Sequence, residues 1–203
     1  MTSSTATFPG RIDYFHNTKA DAKLAYGAKR QEMLSVAKGN QALDTISSWP
    51  KYQVTDLHKL KGMAEQANIG QIYYKDESKR FDLKSFKALG GAYAVTRFLQ
   101  QYLEDLNGEQ PTMTQLLSGQ FKEQLKGVVV SCATDGNHGR SVAWGSQMFG
   151  CQCIIYMHRD VSAGRQTAVE AYAAKVIRIT GNYDESVRQA AVDAELHGRV
   201  IIS

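Results

Sequence analysis

From residue 127 onward the chain alternates between short apolar runs and helix-length segments, and that rhythm limits the folds open to it. Residues 127–132 (GVVVSC), 151–157 (CQCIIYM) and 175–180 (KVIRIT) read as strands, and 200–203 as the start of one more. Between them, residues 138–149, 163–174 and 183–197 read as helices. The alternation predicts an α/β fold, an open and mostly parallel twisted sheet with helices on both faces, because parallel neighbours need crossover connections. Ligands in such sheets bind beyond the carboxyl ends of the strands. The loops to weigh are therefore 76–84, 133–137, 158–164 and 181–182.

Upstream, 28–38 (AKRQEMLSVAK) and 57–67 read as helices, the latter with Leu57, Leu60 and Met63 or Ala64 on one face. Residues 71–75 (QIYYK) read as a strand. Residues 85–103 read as a helix with Ala92, Val95, Leu99 and Tyr102 at helical spacing. Residues 200–202 are apolar enough for an interior strand, so the chain reads as the front part of something longer.

Composition removes several function classes. Hydrophobic residues at 43% and charged ones at 22% exclude a disordered chain. The net charge of +4 is mild and evenly spread, which argues against nucleic acid or an anionic membrane as partner. No stretch approaches the roughly 18 apolar residues of a membrane span, and the N-terminus has no apolar signal core. Three cysteines form no disulfide framework, so the chain is expected in a reducing compartment, the cytoplasm. Cys151 and Cys153 alternate toward one strand face and read as core packing, with no second pair at ligand spacing to suggest a metal. No GxGxxG or Walker A pattern occurs. His58, His158 and His197 read as structural or solvated, and Tyr73, Tyr74 and Trp144 as core or interface aromatics.

Two clusters carry chemistry. In KDESKRFDLKSFKALGG (75–91), Ser85 can cap a helix and place Lys87 in its first turn, where the positive end of the dipole favours a neutral amine. A neutral lysine is what Schiff-base formation needs. On spacing alone Lys87 reads as one of several lysines on a basic surface stretch. In SCATDGNHG (131–139), Gly136 and Gly139 permit close approach of backbone to a ligand at a helix N-terminus, with Thr, Asp, Asn and His beside them. An ordinary Asp-Gly turn would look the same.

Taken together, Ser-Phe-Lys opening a helix and a Gly-Asn-His loop after the next strand resemble the fold-type II pyridoxal-phosphate enzymes, a group that includes serine and threonine dehydratases and serine racemase. The longer strings KDESKRFDLKSFKALGGAYA and ATDGNHGRSVAWG are similar to the diaminopropionate ammonia-lyase family of that group. The resemblance runs from about Val54 to Ser203. It implies pyridoxal 5'-phosphate as cofactor, an amino-acid substrate, and a homodimer. Residues 1–50 would belong to the larger domain of that fold, and 51–203 would hold the lysine-bearing region and the small domain, the C-terminal half being absent.

The resemblance also assigns roles. Lys87 would hold the cofactor beside Phe86, Asn137 would meet its ring oxygen, and Thr134, Gly136 and His138 would cradle the substrate carboxylate. Asp135 stands where serine racemase has a serine, so two bases on opposite faces, Lys87 and Asp135, could serve both enantiomers. Asp76, Glu77 or a group beyond Ser203 would receive the departing ammonium. The phosphate loop and the partner of the pyridine nitrogen are expected after the last strand. A serine or threonine dehydratase, or a half-domain that only folds and associates, are the alternatives.

Overall fold

The computed structural model describes residues 15–203; the first fourteen residues of the N-terminal segment lie outside the described residues. The chain opens with α1 (Ala28–Met33) and α2 (Val36–Ser47). The single helix expected over 28–38 is split because the Ser35 side chain accepts the Lys38 N–H at 3.2 Å and starts a new helix there.

A small antiparallel pair follows, β1 (Leu57–Lys59) with β2 (Tyr73–Lys75), enclosing α3 (Lys61–Gln66). The helix predicted from residue 57 therefore begins four residues late. Leu57 and Leu60 have helical spacing, but residues 57–59 pair with 75–73, and the Leu60 N–H extends that contact to Ile72 O at 2.9 Å. Cross-strand bonding outweighed the periodicity.

After two 3-10 turns, Arg80–Asp82 and Phe86–Leu89, α4 runs over Gly91–Asn107. The helix expected over 85–103 is thus a tight turn and then a long helix, which buries Val95, Leu99 and Leu103 completely. Two short helices that periodicity missed, α5 (Met113–Ser118) and α6 (Lys122–Leu125), lead into the sheet. Thr112 and Gln115 form a reciprocal cap on α5, a Thr-x-x-Gln signal that is visible in the sequence.

The expected alternation then appears: β3 (Val129–Ala133), α7 (Asn137–Phe149), β4 (Gln152–His158), α8 (Ala163–Glu170), β5 (Lys175–Ile179), α9 (Tyr183–His197) and β6 (Val200–Ile201). The four strands lie in the order β5-β4-β3-β6, all parallel, so β6 is outermost among the described residues. Consecutive side chains of a strand face opposite ways. Ile155 of β4 packs under Gly139 of α7, while its neighbour Tyr156 donates to Asp193 of α9 at 2.5 Å. Helices thus cover both faces.

The main core lies between the sheet, α4 and α7. Fully burying each of its Leu, Val or Ile side chains contributes about 1.5–3 kcal/mol. Cys132, Cys151 and Cys153 are free and buried in this region. Burial pushes the Cys153 thiol up to about 12 and raises Cys132 as well, so both remain protonated packing groups. Among the described residues no cluster of His, Cys, Asp and Glu could hold a metal, and no helix is long and apolar enough to cross a membrane.

Candidate active site

The loop at the carboxyl end of β3 opens on a cleft of about 510 Å³, closed on its other sides by Lys87, Arg165, Tyr183 and Ser203. Lys87, Thr134, Asp135, Gly136, Asn137 and His138 all line it, which brings together two sequence clusters about fifty residues apart. Phe86 and Lys87 also line a neighbouring cleft of about 460 Å³, with the Lys87 ammonium 5.2 Å from the centre of the exposed Phe86 ring.

Lys87 sits on a turn rather than a full helix. Ser85 caps it as expected, its hydroxyl accepting the Lys87 N–H at 3.2 Å. The turn has only four residues, so few peptide dipoles stack behind the lysine and they add little positive field there. Side chains fix the segment that leads to it. The Arg80 guanidinium is buried and donates to Glu77 at 2.7 and 3.0 Å, to Thr55 Oγ1 at 2.9 Å and to Gln53 O at 2.9 Å. The Arg80 guanidinium holds the Glu77 carboxyl below its ordinary value against the opposing effect of burial, and a Thr55 hydroxyl bond assists.

Phe81, Asp82 and Lys84 all have left-handed φ of 50–60°, an unfavourable conformation for side-chain-bearing residues. Phe81 is locked there between Trp49 and Trp144, with ring centres 5.7 and 4.9 Å away. Arg140 of α7 donates to Leu83 O at 3.2 Å and to Asp82 O at 3.4 Å. These two bonds tie the lysine segment to the other cluster.

The second cluster is fixed by its own backbone. Gly136 has φ 153°, ψ −83°, which a side chain would resist. A Cβ on Gly139 would stand 2.3 Å from Thr134 Cγ2, so only glycine lets α7 start this close to β3. The Thr134 oxygen accepts the N–H groups of Gly136 at 3.0 Å and Gly139 at 3.1 Å. Its hydroxyl proton is what remains for a ligand. His138 Nε2 meets Ile202 O at 2.9 Å; a carbonyl only accepts, so this nitrogen carries the hydrogen. The backbone N–H groups of Asn137 and His138, at the start of α7, have no partner among the described residues and offer two donors at a helix N-terminus.

Sequence reasoning missed four residues here. Arg165 of α8 and Tyr183 of α9 line the cleft, and Arg165 donates to Asp135 O at 3.3 Å. Arg140 joins the two clusters, as described above. His158, read as structural or solvated, meets an Asp135 carboxylate oxygen at 3.0 Å. Arg165, Tyr183 and His158 fall in or beside loops that the strand-end rule already singled out. The two carboxylates considered for the ammonium lie elsewhere: Glu77 is taken up by Arg80 and Thr55, and Asp76 caps the Ser78 N–H at 2.9 Å.

The family model described as pyridoxal-phosphate dependent enzyme matches residues 49–203. The diaminopropionate ammonia-lyase of Salmonella typhimurium is 36% identical over 192 residues, covering 94% of this chain and 46% of the relative. Its Escherichia coli counterpart is 36% identical over 152 residues, covering 74% and 37%. The chain thus spans less than half the length of these curated relatives. Among solved structures, holo diaminopropionate ammonia lyase from E. coli superimposes with a TM-score of 0.72 at 32% identity, covering 83% of this chain and 42% of that one. Maize serine racemase, at TM-score 0.59 and 18% identity, shares the fold alone.

Proposed function

Since the chain belongs to the pyridoxal-phosphate dependent enzyme family, we propose that it carries the reactive lysine of an ammonia-lyase that eliminates one ammonia from D- or L-2,3-diaminopropionate and, with one water, releases the second to give pyruvate. One observation carries this reading: Lys87 and Asp135 share a cleft whose wall, between residues 134 and 139, presents two free backbone donors.

The residues present fit the cofactor. An amine opens onto a cleft of about 510 Å³, beside glycines that leave the backbone bare. Lys87 would hold it covalently, with Phe86 alongside and Asn137 at the ring oxygen. Bound there, pyridoxal phosphate supplies an electron sink for the charge that develops at the substrate α-carbon.

The remaining work falls to this chain's side chains and backbone. The N–H groups of Asn137 and His138, with the Thr134 hydroxyl proton, receive the substrate carboxylate, and Gly136 leaves room for it. Lys87 Nζ takes the α-proton from one enantiomer and the Asp135 carboxylate takes it from the other, as bases on opposite sides of the reacting carbon. The 36% identity to curated diaminopropionate ammonia-lyases supports this choice of substrate over serine or threonine. The three free cysteines support a cytoplasmic setting. We place the protein in a homodimer, as its family resemblance implies.

The test is to mix the chain with pyridoxal phosphate, follow the visible absorption band, reduce with borohydride and map the label. Label on Lys87, lost in Lys87→Ala, is the expected result; label scattered over other lysines overturns the assignment. In the loaded enzyme, Asp135→Ser should slow one enantiomer by about 100-fold or more relative to the other. Equal losses on both would remove the two-base scheme.

A further inference from the structure

We propose that His158 is the positioning residue for the Asp135 carboxylate, acting as a donor whose tautomer is fixed by the neighbouring backbone. This rests on the reading of Asp135 as a base, and it adds a residue that neither cluster contains.

The register of the sheet makes the pairing. Ala133 of β3 stands opposite Tyr156 of β4 in the parallel ladder. Two residues further along each strand direction come Asp135, just past β3, and His158, the last residue of β4, side by side. The imidazole is mostly enclosed, at 17% exposure, whereas the Asp135 side chain is 59% exposed. A well-anchored ring thus meets a carboxylate that would otherwise swing freely.

The bond has a direction. The Asp160 N–H donates to His158 Nδ1 at 3.3 Å, so Nδ1 carries a lone pair and the ring hydrogen sits on Nε2. Nε2 then donates to Asp135 Oδ1 at 3.0 Å. Oδ2 of Asp135 takes no bond among the described residues and stays free to accept a proton. Two further charged groups lie against this pair: Arg165, which donates to the Asp135 backbone carbonyl at 3.3 Å, and the Asp160 carboxylate, 3.6 Å from Nδ1. Neither of them holds the Asp135 carboxylate itself. A bond to one carboxylate oxygen fixes the direction in which the other presents its lone pairs, and orientation of this kind belongs to the turnover step more than to binding.

Two measurements test the assignment. In the chain labelled with ¹⁵N-histidine, long-range ¹H–¹⁵N spectra should give the Nε2–H tautomer for His158, with its Nε2 resonance moved by Asp135→Ala. An Nδ1–H tautomer, or an Nε2 resonance indifferent to Asp135→Ala, overturns the proposal without reference to activity. In the loaded enzyme, His158→Phe should shift the ratio of D- to L-diaminopropionate turnover by about tenfold in the same direction as Asp135→Ser, in kcat more than KM, and His158→Gln, which keeps an N–H donor, should recover most of it. A shifted ratio in Asp135→Ser with an unshifted one in His158→Phe refutes the positioning role. An unshifted ratio in Asp135→Ser itself refutes the base assignment on which it rests.

Discussion

The two segments that form the cleft are held by opposite means. Residues 134–139 are shaped from within: a glycine at φ 153°, a second glycine against Thr134, and a threonine oxygen that takes two nearby N–H groups. Residues 76–90 are shaped from outside. Their left-handed turns at Phe81, Asp82 and Lys84 persist because Gln53 and Thr55 hold the Arg80 guanidinium, Trp49 and Trp144 hold the Phe81 ring, and Arg140 holds the backbone carbonyls. A loop of the first kind is sensitive at its own positions. One of the second kind can be broken by residues that never approach the ligand.

Arg80→Ala would be the strongest way to break the contrast. It leaves the Glu77 carboxylate enclosed and unpaired, and we expect a loss of about 3–5 kcal/mol in urea unfolding. Borohydride labelling of Lys87 should fall with it although Arg80 does not line the cleft. Undiminished stability would mean that the lysine segment shapes itself after all.

Gly139→Ala probes the other side. The added Cβ meets Thr134 Cγ2 at 2.3 Å and Ile155 Cγ2 at 3.1 Å, and overpacking of this kind should cost about 1–3 kcal/mol by the same measurement. Labelling of Lys87 should persist here, because the lysine turn has its own supports.

The smallest effect is confined to acid. Glu77 is held below its ordinary value of 4.5, so the native state binds its proton less readily than the unfolded chain. The stability this contributes is present above that value and lost as the pH falls through the lower, folded one. Unfolding curves below pH 4.5 should therefore be flatter in Glu77→Gln than in the parent. Identical acid slopes would show that the pair contributes nothing through this charge.

The contrast also explains what the sequence made legible. The self-shaped loop could be read almost directly, since glycines, a threonine and a helix start lie within a few residues of one another. The alternation of strand and helix was equally local, and it pointed to the sheet edge where the cleft lies. The externally held segment could not be read, because Gln53, Thr55, Trp49 and Arg140 come from elsewhere in the chain. Ser85 gave away its cap, but nothing near it announced a 3-10 turn or left-handed Phe81. His158 stayed hidden for a related reason: its partnership with Asp135 depends on the register between β3 and β4, which only the paired strands define.

The bond from His138 to Ile202 O has a consequence for how the site comes into being. It joins positions 64 residues apart, and Ile202 directly follows β6, which pairs with β3 through Val200 and Ile201 and is continued by the Ile202 N–H bonding Ser131 O at 2.9 Å. Contacts of such long sequence separation form slowly, since the intervening chain must be ordered first. During refolding the first turn of α7 should acquire its final setting only after α9 has delivered β6 to the sheet edge. The cleft mouth should then mature no earlier than the side of the core that Ile202 itself completes.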